Sequence, residues 1–227
     1  MTPDPDRTPG AVLLDIDGTL VDSNYLHVHA WVQAFAEVDR PVDAWRVHRA
    51  IGMGSSLLLA ALLGDEADEL GDEAKKRHTE HYAALAGLQR AFPGARELVR
   101  TVADRGARAV LATSAGPDEL ERLLAVLDVE DALTGITSDK DVEEAKPDPD
   151  LVLTALEVAG VETGRAVLVG DTVWDVRAAD RAGVRCVGVL SGGVSEAELR
   201  DAGAVAVYRD VAALLDDLDD SPLATTW

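Results

Sequence analysis

The stretch Ala11-Val12-Leu13-Leu14-Asp15-Ile16-Asp17-Gly18-Thr19 decides how this chain folds. Its apolar start predicts a buried strand, and two carboxylates follow at the strand's end, two residues apart. Alternation along an extended backbone would send both carboxylates to one face, where like charges destabilise each other unless a cation or a shared proton intervenes. A turn after a strand also favours Asp and Gly. A hydrophobic core is not stabilised by such a pair of carboxylates, whereas a phosphoryl-transfer site with a divalent metal uses both.

The composition is that of a globular, strongly acidic protein. The 227 residues are 47% hydrophobic, which is enough for one large domain or for a core with a smaller insertion. The net charge of −21 argues against nucleic acid, whose phosphates bind basic patches, and against anionic membrane surfaces. We therefore expect no nucleic-acid partner and no membrane partner.

Three further features predict a cytoplasmic location. The first ten residues are rich in Pro and Asp and contain no apolar stretch, unlike a signal peptide. The longest aliphatic run, Leu57 to Leu63, is too short to span a bilayer. The single cysteine, Cys186, lies in an apolar strand-like segment and is predicted to be a buried small hydrophobe.

Short apolar runs alternate with helical segments along most of the chain. Several runs are apolar throughout, as expected of strands in a parallel sheet that helices cover on both faces. This rhythm predicts an α/β fold with a doubly wound, Rossmann-like parallel sheet. The predicted strands are Val12–Ile16, Ala107–Ala112, Gly135–Ser138, Ala166–Val169, Arg185–Leu190 and Ala204–Val207. The predicted helices between them are Ala95–Arg105, Pro117–Leu127, Asp150–Ala159, Val173–Ala182, Ser195–Ala202 and Val211–Leu218.

One segment interrupts this rhythm. Residues 23–88 show helical periodicity and no strand-like run, which predicts a small helical bundle inserted into a catalytic core made of 1–22 and 89–227. Residues Asp216 to Trp227 resemble a frayed acidic tail. The four helices predicted in the insertion are Tyr25–Val38, Ala44–Ala50, Ser55–Leu63 and Glu69–Leu85.

Polar groups follow two later strands and precede one helix, at the edge where open α/β sheets bind ligands. Thr113 and Ser114 end the second strand, Lys146 precedes a helix, and Asp171 and Asp175 follow another strand. Each has an ordinary structural explanation: strand-end hydroxyls, a solvated lysine, an N-cap aspartate. Their joint occurrence in this order is what favours a phosphotransfer site.

With these four motifs, the chain resembles the helical-cap phosphatase branch of the haloacid dehalogenase superfamily, which includes phosphoglycolate phosphatases and β-phosphoglucomutase-like enzymes. The resemblance spans roughly residues 11–215. It implies that Asp15 is the nucleophile that forms an aspartyl-phosphate, and that Asp17 is the general acid and base. It also implies that Thr113, Ser114 and Lys146 bind the phosphoryl group.

The resemblance further implies a Mg²⁺ cofactor, held by the Asp15 carboxylate, the Asp17 carbonyl and Asp171, with support from Asp175. The charges agree with this. Four carboxylates against one lysine would repel a phosphate, since a like-charge pair 4 Å apart costs about 1 kcal/mol in water and about 4 kcal/mol at an effective dielectric constant near 20. A bound divalent cation turns this repulsion of the phosphate into attraction.

The helical insertion is expected to carry substrate selectivity. His27, Arg49 and Gly52 are the candidates for facing the site, and Trp31 and Trp45 are expected in the core of the insertion. The predicted function is Mg²⁺-dependent hydrolysis of a small phosphorylated metabolite by a monomer or homodimer.

Two alternatives stay open. One is a β-phosphoglucomutase-like sugar phosphomutase, which the resemblance makes less favourable because Ser55 stands where those enzymes usually carry an arginine. The other is a non-catalytic protein that binds phosphorylated ligands, although the chain keeps every residue of the motifs.

Overall fold

The computed structural model describes residues 9–141 and 145–227. Within these residues the sheet consists of six parallel strands. The strands follow the order β3-β2-β1-β4-β5-β6, and β1 lies between β2 and β4. Their bounds are β1 (Ala11–Leu14), β2 (Arg108–Ala112), β3 (Gly135–Thr137), β4 (Ala166–Gly170), β5 (Arg185–Val189) and β6 (Ala206–Tyr208).

The central strand is fully enclosed. All four residues of β1 are 0% exposed, and they alternate between two hydrophobic layers. Val12 and Leu14 belong to the layer on one face, whereas Ala11 and Leu13 belong to the layer on the other. Burial on both faces explains why the strand is apolar throughout, and it confirms the predicted α/β fold.

Six helices cover the two faces. Leu98 and Leu214 pack into the layer of Val12, and Leu156 and Val176 pack into the layer of Leu13. This is the doubly wound arrangement that the alternation predicts. The bounds are α5 (Ala95–Asp104), α6 (Pro117–Leu127), α7 (Asp150–Ala159), α8 (Val173–Arg181), α9 (Glu196–Ala202) and α10 (Val211–Asp216).

The segment after β1 forms four helices with a hydrophobic cluster of their own. They are α1 (Asn24–Glu37), α2 (Ala44–Ala50), α3 (Ser55–Leu63) and α4 (Ala67–Ala84). Trp31, Phe35 and Leu58 belong to this separate cluster. The limits of 23 and 88 for an inserted domain remain a prediction.

Trp45 is not part of that cluster, contrary to the prediction. Its side chain is 67% exposed. The short helix α2 buries only Val47 and Ala50, and Trp45 lies two residues before Val47. Two residues correspond to about 200° of helical rotation, so Trp45 faces away from the cluster.

The carboxyl-terminal segment is packed, so the prediction of a frayed tail is wrong. Leu218 and Leu223 are 3% and 0% exposed and belong to the layer of Val12. The Gly10 N–H donates to the Thr226 carbonyl at 2.8 Å. A Cβ atom at Gly10 would lie 2.9 Å from the Thr226 Cα, so this close approach requires glycine.

Cys186 is 2% exposed within β5, as the prediction of a buried small hydrophobe requires. Within the part of the chain that the structure describes, no helix has the length and apolar character needed to cross a bilayer.

Candidate active site

Asp15 lies at the centre of the carboxyl edge of the sheet, directly after β1. Its N–H donates to the Val169 carbonyl at 3.0 Å, which extends the pairing of β1 with β4 by one residue. The side chain is 6% exposed and accepts a hydrogen bond of 2.6 Å from Lys146 Nζ. A buried carboxylate is therefore held rigidly by its backbone and by one cation.

A tight loop follows Asp15 and depends on Gly18. Gly18 has a φ of 73°, and its N–H donates to the Val21 carbonyl at 2.9 Å. A Cβ atom there would lie 2.5 Å from Asp171 Oδ2 and 2.2 Å from Asn24 Nδ2. Both the positive φ and the close approach exclude other residues.

Thr113 brings a hydroxyl to the same edge from β2. Its N–H donates to the Thr137 carbonyl at 3.1 Å, and its Oγ1 accepts from the Ala115 N–H at 3.1 Å. The hydroxyl proton is then available for a ligand. Ser114, the next residue, lines the same cavity as Thr113 and Asp15.

Lys146 joins two carboxylates below the cavity. Its Nζ lies 2.6 Å from Asp15 Oδ1 and 2.7 Å from Asp175 Oδ1, and the residue is 2% exposed. Burial alone would lower the pKa of Lys146, but the charges of the two carboxylates outweigh it and raise the pKa. Lys146 is therefore charged. In the backbone it follows Ala145, and a cis peptide bond joins it to Pro147.

Asp175 is fully committed to contacts within the protein. Its Oδ2 accepts from the Thr172 N–H at 3.1 Å, and its own N–H donates to Thr172 Oγ1 at 3.3 Å, which together form the capping box of α8. The Thr172 hydroxyl also donates to Asp175 Oδ2 at 2.5 Å. Its Oδ1 faces Lys146. The structure thus gives Asp175 the geometry of a residue that orients Lys146 and the β4–α8 loop.

Asp171 is fully buried and receives one donor on each oxygen. Oδ1 accepts from Thr19 Oγ1 at 2.9 Å, and Oδ2 accepts from Asn24 Nδ2 at 2.7 Å. Carboxylate oxygens of Asp15, Asp171 and Asp175 all lie within 4.8 Å of one another. Asp171 and Asp175 therefore both lie close to Asp15, the candidate nucleophile.

These three acids carry more negative charge than Lys146 can offset. Burial and the charges of Asp175 and Asp17 raise the pKa of Asp15 to about 7, although the charge of Lys146 acts in the opposite direction. Burial and the charges of Asp175 and Asp15 raise the pKa of Asp171 well above its ordinary value. A buried excess of carboxylate oxygens fits a hard divalent cation such as Mg²⁺. The donor set therefore suits the metal that the family resemblance implies.

The Asp17 carboxylate belongs to a different cluster. Its Oδ1 accepts from Ser23 Oγ at 2.6 Å and lies 3.4 Å from His27 Nε2 and 3.5 Å from Tyr82 Oη. Burial tends to raise the pKa of Asp17, but the hydrogen bond and charge of His27 outweigh it and lower the pKa. The metal contact expected through the Asp17 carbonyl stays a prediction, and the Asp17 carboxylate lies in this second cluster with His27 and Glu119.

His27 connects this aspartate to α6. Its Nε2 lies 3.0 Å from Glu119 Oε1, and its Nδ1 lies 3.1 Å from His78 Nε2. Burial tends to lower the pKa of His27, but the Glu119 charge and the contact with Asp17 raise the pKa to about 10. Burial and the charge of His27 lower the pKa of His78 to about 2. A protonated His27 therefore donates to a neutral His78.

Stacked rings hold these histidines in place. The rings of His27 and Tyr82 are 3.8 Å apart, and those of Trp31 and His78 are 4.1 Å apart. His27 and Trp31 are four residues apart on α1, and His78 and Tyr82 are four apart on α4, so each pair shares one helical face. The same spacing of four residues on both helices is visible in the sequence and could have identified these residues beforehand.

A cavity of about 550 Å³ separates the sheet edge from the helical segment. Asp15, Asp17, Thr113, Ser114, Lys146, His27 and Gly52 are the sequence-predicted residues that line it. Gly52 lies next to Thr172. Arg49 is not brought into this cavity, because it forms an ion pair with Glu198 on α9. Among the described residues, sequence reasoning missed Tyr82, His78, Glu119 and Arg122 as lining residues.

The family model of the haloacid dehalogenase-like hydrolases matches residues 9–183, which contain all of these loops. This chain belongs to the haloacid dehalogenase-like hydrolases. The resemblance read from the four motifs is confirmed, and so is the predicted hydrolase class.

Named relatives of this hydrolase cover nearly the whole chain. A phosphoglycolate phosphatase from Rhodospirillum rubrum is 36% identical in an alignment of 219 residues that covers 92% of this chain and 90% of that protein. The crystal structure of a hydrolase from Pseudomonas syringae is 37% identical and gives a TM-score of 0.88, covering 93% of this chain and 98% of that one. CbbY from Rhodobacter sphaeroides, solved in complex with phosphate, is 27% identical with a TM-score of 0.75, covering 91% and 96%.

Proposed function

We propose that this hydrolase removes the phosphoryl group from a small phosphomonoester through a phosphorylated Asp15, with Mg²⁺ as cofactor. The observation that carries the proposal is the position of Asp15, which faces the cavity while Lys146 holds one of its oxygens at 2.6 Å. Relatives named phosphoglycolate phosphatase support the reaction class.

The residues around Asp15 would each perform one task. Lys146, being charged and buried, orients Asp15 and offsets phosphoryl charge, and Thr113 and Ser114 donate hydrogen bonds to phosphoryl oxygens. The Asp15 and Asp171 carboxylates and the Asp17 carbonyl would hold Mg²⁺, which supplies positive charge beside the phosphoryl group when bound. Asp175 acts by positioning Lys146.

Asp17 would give its proton to the leaving oxygen and later take one from water. In the arrangement seen here, the lowered pKa of Asp17 and the raised pKa of His27 place the proton on His27. Asp17 is therefore ionised in this arrangement, which is the form that takes a proton from the attacking water, and it has to be protonated before it acts as the acid. The protonated His27, 3.4 Å away on the helical segment, stabilises the ionised form.

The test is phosphate release from a panel of phosphomonoesters, beginning with 2-phosphoglycolate, with Mg²⁺ and with EDTA. We expect release that requires the metal and that Asp15→Asn lowers by about four orders of magnitude or more, as when other covalent nucleophiles are removed. Wild-type activity that survives in Asp15→Asn contradicts the covalent route. Lack of release from every ester by the wild type contradicts the function itself.

The mutase alternative gains no support from the cavity, where Ser55 is a lining residue and Arg49 is engaged by Glu198. Isomerisation of glucose 1-phosphate without phosphate release would reverse that judgement. A cytoplasmic location and a monomeric or homodimeric state remain part of the proposal, the former in keeping with the single buried cysteine.

A further inference from the structure

Arg122 lines the cavity from α6 and has no role in the steps above. The helix begins three residues after Ser114, and Arg122 lies one turn after Glu119, so both side chains share the face that meets the cavity. The neighbouring Leu123 is fully buried in the core and anchors this face.

The guanidinium of Arg122 is left without a protein partner in a chain rich in acids. Its Nε atom is buried and makes no hydrogen bond to any residue within 9–141 and 145–227. Among the described residues, Arg122 is not one of the arginines that pair with a carboxylate. The arginines that do pair with a carboxylate include Arg40, Arg49, Arg77, Arg90, Arg100, Arg105, Arg181, Arg200 and Arg209.

Two acids of the same helix that line the cavity do not pair with the guanidinium of Arg122. Glu119 is engaged with His27 at 3.0 Å, and Asp118 is exposed at the start of the helix. Lys75 of α4 lines the same cavity and adds a second positive charge from the helical segment. An unpaired, partly buried guanidinium inside a ligand cavity is what a bound anion requires.

We infer that Arg122 binds a carboxylate on the leaving group, so that the substrate is a phosphorylated hydroxy acid. This inference rests on the proposed function, because it assigns the part of the substrate that points away from Asp15. One planar guanidinium matches one carboxylate. A second phosphate would need more donors and would lie beside Asp118 and Glu119, so a bisphosphate is the less suitable ligand.

The experiment compares two esters that differ only at this group: 2-phosphoglycolate and 2-hydroxyethyl phosphate. We expect wild type to prefer the acid, and Arg122→Gln to lower the ratio of the two kcat/KM values by about ten- to a hundredfold, the worth of a charged hydrogen bond, mainly through KM. Arg46→Gln, at an exposed position on α2, is the matched control and keeps the wild-type ratio.

Each other result has a defined meaning. An unchanged ratio in a folded, active Arg122→Gln protein overturns the inference and leaves the proposed function standing. If wild type hydrolyses neither of these two esters but does hydrolyse another phosphomonoester, the inference is overturned and the proposed function stands. Should Arg122→Gln fail to fold, Arg122→Lys replaces it, with a smaller loss of the same preference expected. A stronger wild-type preference for fructose 1,6-bisphosphate over fructose 6-phosphate, lost in the same variant, overturns the carboxylate assignment.

Discussion

His27 Nε2 lies 3.0 Å from Glu119 Oε1, and this contact joins α1 to α6, which packs against the sheet. Both residues line the cavity, so the contact also closes one of its walls. A buried, paired histidine next to Asp17 makes the proton state of the site depend on how the helical segment sits over the sheet.

We predict that Glu119→Gln lowers the pKa of His27 from about 10 toward its ordinary value of 6.5. A histidine whose folded-state pKa is raised contributes stability that is complete below about pH 6.5 and is lost as the pH rises to about 10. The free energy of unfolding of wild type should therefore exceed that of Glu119→Gln at pH 6, and the gap should shrink by pH 10. Urea unfolding across this range measures it.

The control for that substitution is Glu121→Gln, on an exposed position of the same helix. We expect no pH-dependent gap there. A gap for Glu119→Gln that stays constant from pH 6 to pH 10 would show that the histidine does not carry the raised pKa.

We predict that Asp17→Asn slows hydrolysis of alkyl phosphates by about 10²- to 10⁴-fold, the range typical of a lost general acid. p-Nitrophenyl phosphate should lose much less, because its leaving group departs without a proton. Metal binding should persist, since the backbone carbonyl is unchanged. Asp118→Asn, at an exposed residue lining the same cavity, serves as control. Equal losses on both substrates would argue against proton donation.

We predict that Asp171→Asn stabilises the metal-free protein at pH 8. Because burial raises the pKa of Asp171, its contribution to stability is present below pH 3.8 and is lost as the pH rises through the raised value. In EDTA the free energy of unfolding of the variant should exceed that of wild type at pH 8, and the difference should vanish toward pH 4. Asn24 Oδ1 has no partner among the described residues, so its amide can rotate to accept from the new side chain.

Thermal melting with added Mg²⁺ completes that experiment. Wild type should gain stability, and Asp171→Asn should gain little, because it lacks a ligand. Asp180→Asn, at an exposed position on α8, should behave as wild type. Equal gains in wild type and Asp171→Asn would place the metal elsewhere.

We predict that Leu223→Ala destabilises the protein by about 2–5 kcal/mol, the range for a buried leucine. Leu223 is 0% exposed in the carboxyl-terminal segment. Leu88→Ala, at a side chain that is 60% exposed, should change the free energy of unfolding by less than about 0.5 kcal/mol. Chemical denaturation measures both, and similar small effects would mean that the segment is not packed in solution.

Local signals explain what the sequence predicted well. Helix Pro117–Leu127 begins and ends where predicted, because proline at the first turn and the apolar spacing after it are local features. The strand-end position of Asp15 and Thr113 follows in the same way from apolar runs that stop at a polar residue.

Long-range packing explains what the sequence could not provide. Glu119 contacts His27 across 92 positions of the chain, and no spacing rule connects α6 to α1. The acidic composition of Asp216 to Trp227 suggested a solvated end, whereas Leu218 and Leu223 within this segment belong to the buried core. Arg49 was expected at the cavity, but a glutamate on α9, visible only in the folded chain, binds it.

The order of the strands divides this molecule into a part that is fixed and a part that can diverge. Asp15, Thr113 and Asp171 follow β1, β2 and β4, which are adjacent, so the two ladders of backbone hydrogen bonds on either side of β1 set the spacing of all three. A shift of one position in either ladder would displace a group by about 3.3 Å and destroy the chemistry. Side chains on α1, α3, α4 and α6, which line the rest of the cavity, can change without disturbing that spacing.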